Sequence, residues 1–392
     1  MSHNTIAIAG AGIGGLTAAI ALTRKGFSVR VYERSDELRT EGAGITLQVN
    51  AMQALEALNG LRAAIAEAGE AIEEGAIYNR SGRALQRLDM SDAPERFGTQ
   101  GVALHRGRLM KTLAAYCEAD IEYGRAVTGF SQTDEVVTIE FADGTQTEAR
   151  ALIGCDGLYS AVRKGLLGDE RYKYAGYTSW RGVVDSDAEL YREAAGEYWG
   201  VGERFGIVPI GHGETYWFAV ANARPGGADG PDPIEELKER FEDWPESIER
   251  ILDQTDPDEV IRTDIFDRDR VEKWGEKRVT LLGDAAHPMT PNLGQGAGQA
   301  IEDAIVLADT LDEHQDDIVA GLREYEDARR DRANELVDRS RRLGQVAQWE
   351  SPAACTLRDV LMWMIPSALT RRELDRMYGT QIRKKNSGPK SK

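Results

Sequence analysis

Short apolar runs recur along this chain, and glycine-rich turns follow them. Residues 6–9 form an unbroken apolar run, which is the pattern of a strand buried on both faces of a sheet. A helical pattern comes next, and Ser28–Tyr32 then alternates as a second strand. The runs at residues 151–153 and 279–282 are apolar strands of the same kind as residues 6–9. The hydrophobic pattern therefore predicts an α/β fold with a parallel sheet built from βα units.

The middle of the chain has a different pattern, in which residues 174–222 alternate as strands and are rich in aromatic side chains. Aromatic residues in strands usually form a core, but this number predicts that they also build one wall of an apolar cavity. Because the run at 279–282 returns to the parallel-sheet pattern, the aromatic region is predicted to be an insertion in another domain. The eight aromatic residues are Tyr177, Trp180, Tyr198, Trp199, Phe205, Tyr216, Trp217 and Phe218.

These patterns predict a discontinuous Rossmann-like domain, an inserted β-sheet substrate domain and C-terminal helices. The tail carries Pro, Gly, Ser and excess lysine and is predicted to be disordered. The predicted divisions are residues 1–76, 98–170 and 271–350 for the cofactor domain, 77–97 and 171–270 for the substrate domain, 351–383 for the helices, and 384–392 for the tail.

Charge and composition narrow the classes of partner. The 392 residues include 48 Lys and Arg against 66 Asp and Glu, a formal net charge of −18. This charge argues against nucleic acid or an anionic membrane as the main partner, and both salt adaptation and an ordinary acidic enzyme explain it. The first strand leaves no room for a signal peptide, and Pro366 interrupts the most apolar C-terminal window. We expect a cytoplasmic protein without a membrane span. The oligomeric state, monomer or homodimer, stays open.

The three cysteines are Cys117, Cys155 and Cys355. Their number is odd, and they share no CxxC or histidine spacing. We therefore expect neither a metal site nor a disulfide.

The turn after the first strand reads Gly10-Ala11-Gly12-Ile13-Gly14-Gly15 and carries the GxGxxG fingerprint. It has a strand before it, a helix after it, and Glu33 roughly 20 positions further on, at the end of the second strand. In that context the glycines bring backbone N–H groups close to a pyrophosphate, and the acidic side chain binds a ribose. The motif predicts a bound adenine dinucleotide.

A second glycine-rich turn lies near residue 290. Gly283-Asp284 ends the strand at 279–282, and Gly294, Gly296 and Gly298 lead into a helix. A glycine-rich helix N-terminus exposes N–H groups at the positive end of the helix dipole. It can therefore bind and stabilise an anionic, reduced cofactor. Arg106 also stands near a helix start, where it is either a surface charge or a clamp for a pyrophosphate.

Three separated segments carry a resemblance to a known family. They are GAGIGGLTAAIAL at 10–22 with Glu33-Arg34, CDGLYSAVR at 155–163, and GDAAHPMTPNLGQGAGQAIEDA at 283–304. They resemble the three signatures of the single-component FAD-dependent aromatic hydroxylases and epoxidases, the group A flavoprotein monooxygenases, whose relatives include FAD-dependent urate hydroxylase and zeaxanthin epoxidase. The similarity extends from residue 6 to about residue 348.

The resemblance implies a GR2-type FAD-binding fold, FAD as cofactor and NADPH or NADH as co-substrate. It implies that O2 oxidises a small aromatic or other electron-rich molecule, by hydroxylation or epoxidation, through a flavin hydroperoxide. Asp284 would bind the ribityl chain, and Asp156 lies in a segment linked to both FAD and NAD(P)H. The full set of implied cofactor residues is Gly10, Gly12, Gly14, Gly15, Glu33, Arg34, Thr46, Arg106, Val127, Asp156, Asp284, Gly294, Gln295, Gly296, Ala297 and Gly298.

For the substrate, the resemblance indicates Arg204 and Tyr216, on neighbouring strands of the insertion, because they correspond in position to polar substrate contacts in urate-hydroxylase-like relatives. A solvated Arg204 beside Glu203 is the competing interpretation. The urate-type enzymes carry an acid at the position of Asn292, which weakens a urate assignment. His287, beside Pro288, is predicted to be structural.

Two other functions are compatible with part of the pattern. A flavoprotein reductase of isoprenoid lipids shares the first and third segments, although the aromatic-Pro-Lys signature of that group is missing. A non-catalytic dinucleotide-binding protein would need the first segment alone, so the other two count against it.

Overall fold

The computed structural model describes residues 5–185, 191 and 193–378. The predicted tail at 384–392 lies outside the described residues. The strands in the described part of the chain, numbered in order, are β1 Thr5–Ala9, β2 Ser28–Tyr32, β3 Gly44–Leu47, β4 Glu70–Ile72, β5 Glu74–Asn79, β6 Ala84–Asp89, β7 Gly101–His105, β8 Asp120–Glu122, β9 Val127–Gln132, β10 Val137–Phe141, β11 Gln146–Ala149, β12 Ala151–Gly154, β13 Lys173–Asp185, β14 Gly196–Trp199, β15 Glu203–Pro209, β16 Glu214–Asn222, β17 Ile261–Asp267, β18 Gly275–Glu276 and β19 Val279–Leu281.

The α-helices begin mostly at glycine, Ser, Asp or Pro, residues that leave or satisfy the first free N–H groups of a helix. In α6, for example, the Ser160 hydroxyl accepts a hydrogen bond from the backbone N–H of Arg163. The described helices are α1 Ile13–Arg24, α2 Val49–Leu55, α3 Leu61–Glu67, α4 Ala93–Phe97, α5 Arg106–Tyr116, α6 Ala161–Leu167, α7 Pro233–Arg240, α8 Glu246–Asp253, α9 Gly296–Glu313, α10 Ile318–Ala347, α11 Pro352–Met364 and α12 Ser367–Tyr378.

A six-stranded sheet in the order β18-β19-β12-β1-β2-β8 carries the main core. The pairs β1–β2, β1–β12, β12–β19 and β2–β8 are parallel, and β18 is antiparallel at one edge. Ile6 and Ile8 are completely buried in this core, to which helices and the three-stranded sheet β11-β10-β9 also contribute. The predicted α/β fold with a parallel sheet is confirmed, and the carboxyl ends of β1, β12 and β19 meet at one edge.

A seven-stranded sheet in the order β17-β13-β16-β15-β14-β5-β6 faces that edge. It is antiparallel except between β14 and β5. Its strands come from two separate parts of the chain, residues 74–89 and 173–267. Helices α7 and α8 cover its outer face through a second core, which includes Phe205 and Trp217. The exact division of the chain into domains remains our proposal.

The C-terminal helices lie beside the edge strand of the second sheet. Gln86 on β6 donates hydrogen bonds to the carbonyls of Met362 and Ile365, at the end of α11. Tyr378, at the end of α12, donates to Gln48 Oε1 at 2.5 Å. The second contact connects the end of the described chain to the start of α2.

Candidate active site

A cavity of about 1060 Å³ lies between the carboxyl ends of the parallel strands and the inner face of the seven-stranded sheet. Its lining runs from the Gly10 turn at one end to Arg204 and Tyr216 at the other. Pockets for one small ligand usually measure about 300–1,000 Å³. The cavity therefore has room for a dinucleotide together with a small substrate.

In the Gly10 turn, each glycine is required for a separate physical reason. Gly10 has φ +98, and a Cβ there would lie 2.5 Å from the Cys155 carbonyl oxygen. Gly14 packs on Leu282, while a Cβ on Gly12 would meet nothing within 4 Å. Gly12 thus leaves its backbone open to the cavity. A Cβ on Gly15 would collide with the Gly10 carbonyl, so Gly15 packs against the turn itself and does not line the cavity; its role at the cofactor stays a prediction.

Glu33 lies at the end of β2 and lines the cavity. Its Oε2 accepts from the backbone N–H of Ala11 at 2.7 Å, and its Oε1 accepts from that of Ser35 at 2.9 Å. These bonds fix the carboxylate beside the Gly10 turn and leave lone pairs for a diol. Arg34, the next residue, also lines the cavity.

Asp284 follows β19 and faces the cavity from the opposite side. Its oxygens are open to the cavity, but the deep position among protein atoms raises the pKa of the carboxyl. The turn behind Asp284 is fixed by the buried Arg163, whose Nη1 donates to the carbonyls of Ala285 and Ala286 at 3.0 and 2.8 Å. The carboxylate is therefore presented on a rigid support.

The N-terminus of α9 closes the same end of the cavity. Gly294 adopts φ +61, and Gln295, Gly296 and Ala297 line the wall beside it. The free N–H groups of the first helical turn lie here, at the positive end of an 18-residue helix. Gly298 is buried against Ala51 and Asn50 and does not line the cavity; its role at the cofactor stays a prediction.

A buried ionic network lies behind this helix end. His287 Nε2 is 2.6 Å from Asp303 Oδ2, and Arg329 donates to Asp303 Oδ1 at 2.7 Å and to Glu302 Oε2 at 2.6 Å. Burial alone would raise the pKa of Asp303, but His287 and Arg329 outweigh it and lower that pKa to about 2. Asp303 also accepts from the backbone N–H of Gly283 at 3.1 Å. His287 therefore supports the loop and does not line the cavity.

The remaining predicted cofactor residues, Thr46, Arg106, Val127 and Asp156, all line the cavity. Arg106 Nη1 donates to the Glu41 carbonyl at 2.8 Å, which holds the guanidinium at the cavity wall. The Asp156 carboxylate accepts from the backbone N–H of Ala161 at 2.7 Å, and burial raises the pKa of this carboxyl. Asp156 thus stabilises the start of α6 as well as lining the cavity.

At the other end, Arg204 is only 3% exposed, so its interpretation as a solvated strand residue is wrong. Its Nε donates to Gln348 Oε1 at 2.8 Å, its Nη1 to Glu197 Oε1 at 2.9 Å, and its Nη2 to Asn292 Oδ1 at 2.9 Å. A guanidinium has five N–H groups, so these three bonds leave two. Arg204 is held rigidly against the cavity with its charge balanced by Glu197.

Tyr216 lines the cavity from β16, the strand next to the β15 strand of Arg204. Burial is the main cause that raises the pKa of its hydroxyl to about 12. Within the described part of the chain no hydrogen-bond partner is assigned to that hydroxyl. Tyr216 is therefore a protonated donor at neutral pH.

The prediction that eight aromatic residues build a cavity wall is wrong for six of them. Of these eight aromatic residues, only Tyr216 and Phe218 line the cavity. Side chains along a strand alternate between the two faces of a sheet, and Trp217 between these two points into the second core with Phe205. The wall is completed by aliphatic residues, namely Ile45, Val208, Val220, Ile261, Ile265, Met289 and Leu293.

Several polar residues of the cavity were not found from the sequence, among them Glu197, Arg181 and Gln48. Glu197 lies on β14 and pairs with Gly206, two residues along β15 from Arg204, so it is a diagonal neighbour of Arg204 on the same face of the sheet. Arg181 lines the cavity and donates to Thr263 Oγ1 at 2.7 Å, while its Nε is buried without a partner. Gln48 accepts from Gln295 Nε2 at 2.9 Å. Gln48 sits at a helix start, the one local signal that could have identified it.

Comparison with known proteins gives a consistent set of relatives. The family model described as FAD binding domain matches residues 3–340. Aurachin C monooxygenase/isomerase of Stigmatella aurantiaca is 44% identical over 375 residues, covering 94% of this chain and 97% of that protein. The 3-amino-4-hydroxybenzoate 2-monooxygenase of Streptomyces cremeus is 35% identical and covers 91% of each chain. The structure of Klebsiella pneumoniae HpxO complexed with FAD and uric acid has a TM-score of 0.87 at 29% identity, and the match covers 97% of each chain.

Proposed function

This chain belongs to the FAD-dependent aromatic hydroxylases and epoxidases, and from that premise we propose the roles of its cavity residues and its class of substrate. It is an FAD-dependent monooxygenase that uses NAD(P)H and O2. The relatives are oxygenases, so the isoprenoid-lipid reductase and the non-catalytic dinucleotide-binding protein find no support.

The cofactor end of the cavity fits FAD. The open backbone at Gly12 and the fixed Arg106 would hold the pyrophosphate, and Glu33 would accept from the ribose hydroxyl pair. Asp284 would accept from the ribityl chain. The α9 N-terminus would stabilise negative charge on the reduced ring. Bound FAD, once reduced by NAD(P)H, supplies the oxygen transfer from O2.

The protein must then exclude water and orient the substrate. The aliphatic wall with Phe218 serves the first purpose, because it offers no hydrogen bonds to water. Arg204 and Tyr216 serve the second. Each lines the cavity and has an N–H or O–H group without an assigned partner in the described part of the chain, and Arg204 is also fixed by three hydrogen bonds.

The substrate is an electron-rich aromatic ring that is uncharged and carries a hydrogen-bonding oxygen or nitrogen, such as a phenol, an aminophenol or a lactam-type heterocycle. The observation that carries this proposal is the 2.9 Å pair between Arg204 and Glu197. Because Glu197 balances the guanidinium of Arg204, a carboxylate placed beside this pair would gain little from the charge of Arg204. Arg204 instead offers directional N–H groups, and Glu197 accepts from an acidic N–H or O–H.

A substrate panel tests the proposal. The FAD-loaded enzyme is incubated with NADH or NADPH and with matched pairs of phenols, hydroxylated heterocycles and polyenes, with and without a carboxylate substituent. We expect uncharged hydroxylated aromatics to stimulate NAD(P)H oxidation and to yield oxygenated product. Stimulation restricted to the carboxylated partners would contradict the proposed class of substrate without affecting the assignment as a monooxygenase.

A further inference from the structure

Helix α11 exposes its apolar side and buries its charged side. Arg358 is 3% exposed and donates to the carbonyls of Ala347 and Gly200 at 3.2 and 3.1 Å. By contrast, Leu357 and Leu361 are 58% and 51% exposed. A helix packed on a water-exposed protein normally has the opposite arrangement.

The exposed side chains form one continuous patch, which we call the C-terminal apolar patch. Leu357, Val360, Leu361 and Met364 have the spacing of a single helical face. Trp363, Ile365 and Leu369 continue the patch across the turn into α12, and all seven residues are between 44% and 60% exposed. The patch does not belong to the cavity. Contiguous patches of this kind mark interaction sites.

The segment that follows the patch in the sequence has a charge of opposite sign to that of the whole chain. Residues 366–392 contain eight Lys and Arg but two Asp and Glu, within a chain of net charge −18. Arg371, Arg372 and Arg376 are exposed on α12, where Arg371 pairs with Asp92 and Arg376 pairs with Glu373. The overall acidic charge therefore does not describe this end of the molecule.

We propose that the C-terminal apolar patch and the basic segment at 366–392 together dock the enzyme on the surface of an anionic lipid bilayer. Apolar residues that include a tryptophan, flanked by basic residues, are typical of helices that lie in the membrane interface. The acidic body would be repelled from the same surface, so this end alone would face the lipid. No helix among the described residues is long and apolar enough to cross a membrane, which is compatible with docking on the surface only.

A second copy of the chain is the alternative occupant, and the charges disfavour it. Pairing two patches would bring two basic segments together, and like charges at such an interface repel. Anionic lipid headgroups instead supply the opposite charge.

Vesicle co-sedimentation of the full-length FAD-loaded protein tests the proposal, with flavin absorbance as the readout. We expect binding to phosphatidylcholine mixed with phosphatidylglycerol, weaker binding to phosphatidylcholine alone, and release by added salt. Leu357→Gln with Leu361→Gln should weaken binding roughly tenfold or more. Lys384→Gln with Lys385→Gln should do the same. The charge-matched control, Lys164→Gln with Lys173→Gln, changes two exposed lysines elsewhere and should bind like the parent.

Three outcomes would overturn the proposal. The first is no binding to either vesicle. The second is equal, salt-insensitive binding to both. The third is a concentration-dependent dimer that the leucine variant dissociates while lipid binding stays unchanged, which would assign the patch to a second copy. Because the readout does not depend on turnover, it is independent of the proposed substrate.

Discussion

Arg204 Nη1 and Glu197 Oε1 lie 2.9 Å apart, and both side chains line the cavity that also contains the Gly10 turn. The pair joins two adjacent strands of the substrate sheet. It therefore sets the charge at the substrate end of the cavity, and two of the predictions below concern it.

Replacement of Arg204 by alanine should raise KM by roughly tenfold or more and uncouple NAD(P)H oxidation from oxygenation. The loss of a charge-assisted hydrogen bond of about 1.5–3 kcal/mol misplaces the substrate. Product and hydrogen peroxide, measured together, check this. The flavin spectrum should stay normal, because Arg204 is at the far end from the Gly10 turn. Parent KM and coupling on the true substrate would show that Arg204 does not bind it.

Replacement of Glu197 by glutamine should shift preference toward carboxylated substrates by about tenfold. The change leaves the Arg204 charge unbalanced, and at an effective dielectric constant near 20 a charge at 4 Å is worth about 4 kcal/mol before desolvation. The measurement is the ratio of kcat/KM for a matched pair of phenol and carboxyphenol. Glu203→Gln is the control, because that residue pairs with Arg240 and does not line the cavity. An unchanged ratio would mean that the pair does not set substrate charge.

Tyr216→Phe should weaken substrate binding about two- to tenfold, the effect of one neutral hydrogen bond of about 0.5–1.5 kcal/mol. The raised pKa, about 12, keeps the hydroxyl protonated at every pH below it. The pH profile of kcat/KM between pH 7 and 10 should therefore have the same shape in the variant and the parent. A basic limb that vanishes in the variant would instead assign a titration to Tyr216.

Asp284→Ala should lower FAD occupancy and leave the fold intact. It removes an acceptor for the ribityl hydroxyls worth about 1.5–3 kcal/mol if the bond is charge-assisted. Flavin absorbance relative to protein gives the occupancy, and far-ultraviolet circular dichroism monitors the fold. Asp269→Ala, which removes an exposed carboxylate outside the cavity, is the matched control. Unchanged FAD affinity would place Asp284 outside the cofactor contacts.

Asp303→Asn should lower the free energy of unfolding by about 3 kcal/mol, because it breaks a buried ion pair with Arg329. The folded pKa, about 2, lies below the unfolded value of about 3.9. Asp303 therefore stabilises the fold fully above pH 4, and that contribution is lost as pH falls from 4 toward 2. Urea unfolding at several pH values should show a smaller loss over this range in the variant. Parallel curves for variant and parent would contradict the assigned role.

Local patterns were sufficient to predict the cofactor end. Gly10, Gly12 and Glu33 lie within one βαβ unit, and chain spacing alone fixes their relative positions. The parallel strands could also be predicted, because a strand buried on both faces leaves an unbroken apolar run. A motif does not distinguish a glycine that faces a ligand from one that packs against its own chain, and Gly15 and Gly298 are packed in the second way.

The substrate end depends on the register between neighbouring strands, which the sequence did not determine. Glu197 reaches Arg204 only through the register of β14 and β15. Arg204 is buried or solvated according to which face of β15 it occupies. The sequence alone did not show which face that is. Side chains along β16 also alternate between the two faces of the sheet, so Trp217 lies in the second core while Tyr216 lines the cavity.

The order of strands in the parallel sheet has a consequence for biosynthesis. Strand β1 pairs with β12, about 145 residues later, and β12 pairs with β19, which follows after more than 120 further residues. At roughly 5–20 residues per second, the ribosome completes the first strand many seconds before its last partner emerges. The Gly10 turn therefore leaves the ribosome without Asp284 and the α9 end opposite it. FAD can be captured by a complete site only after more than three quarters of the chain has been made. Cofactor binding therefore stabilises a late stage of folding, by mass action on the finished site.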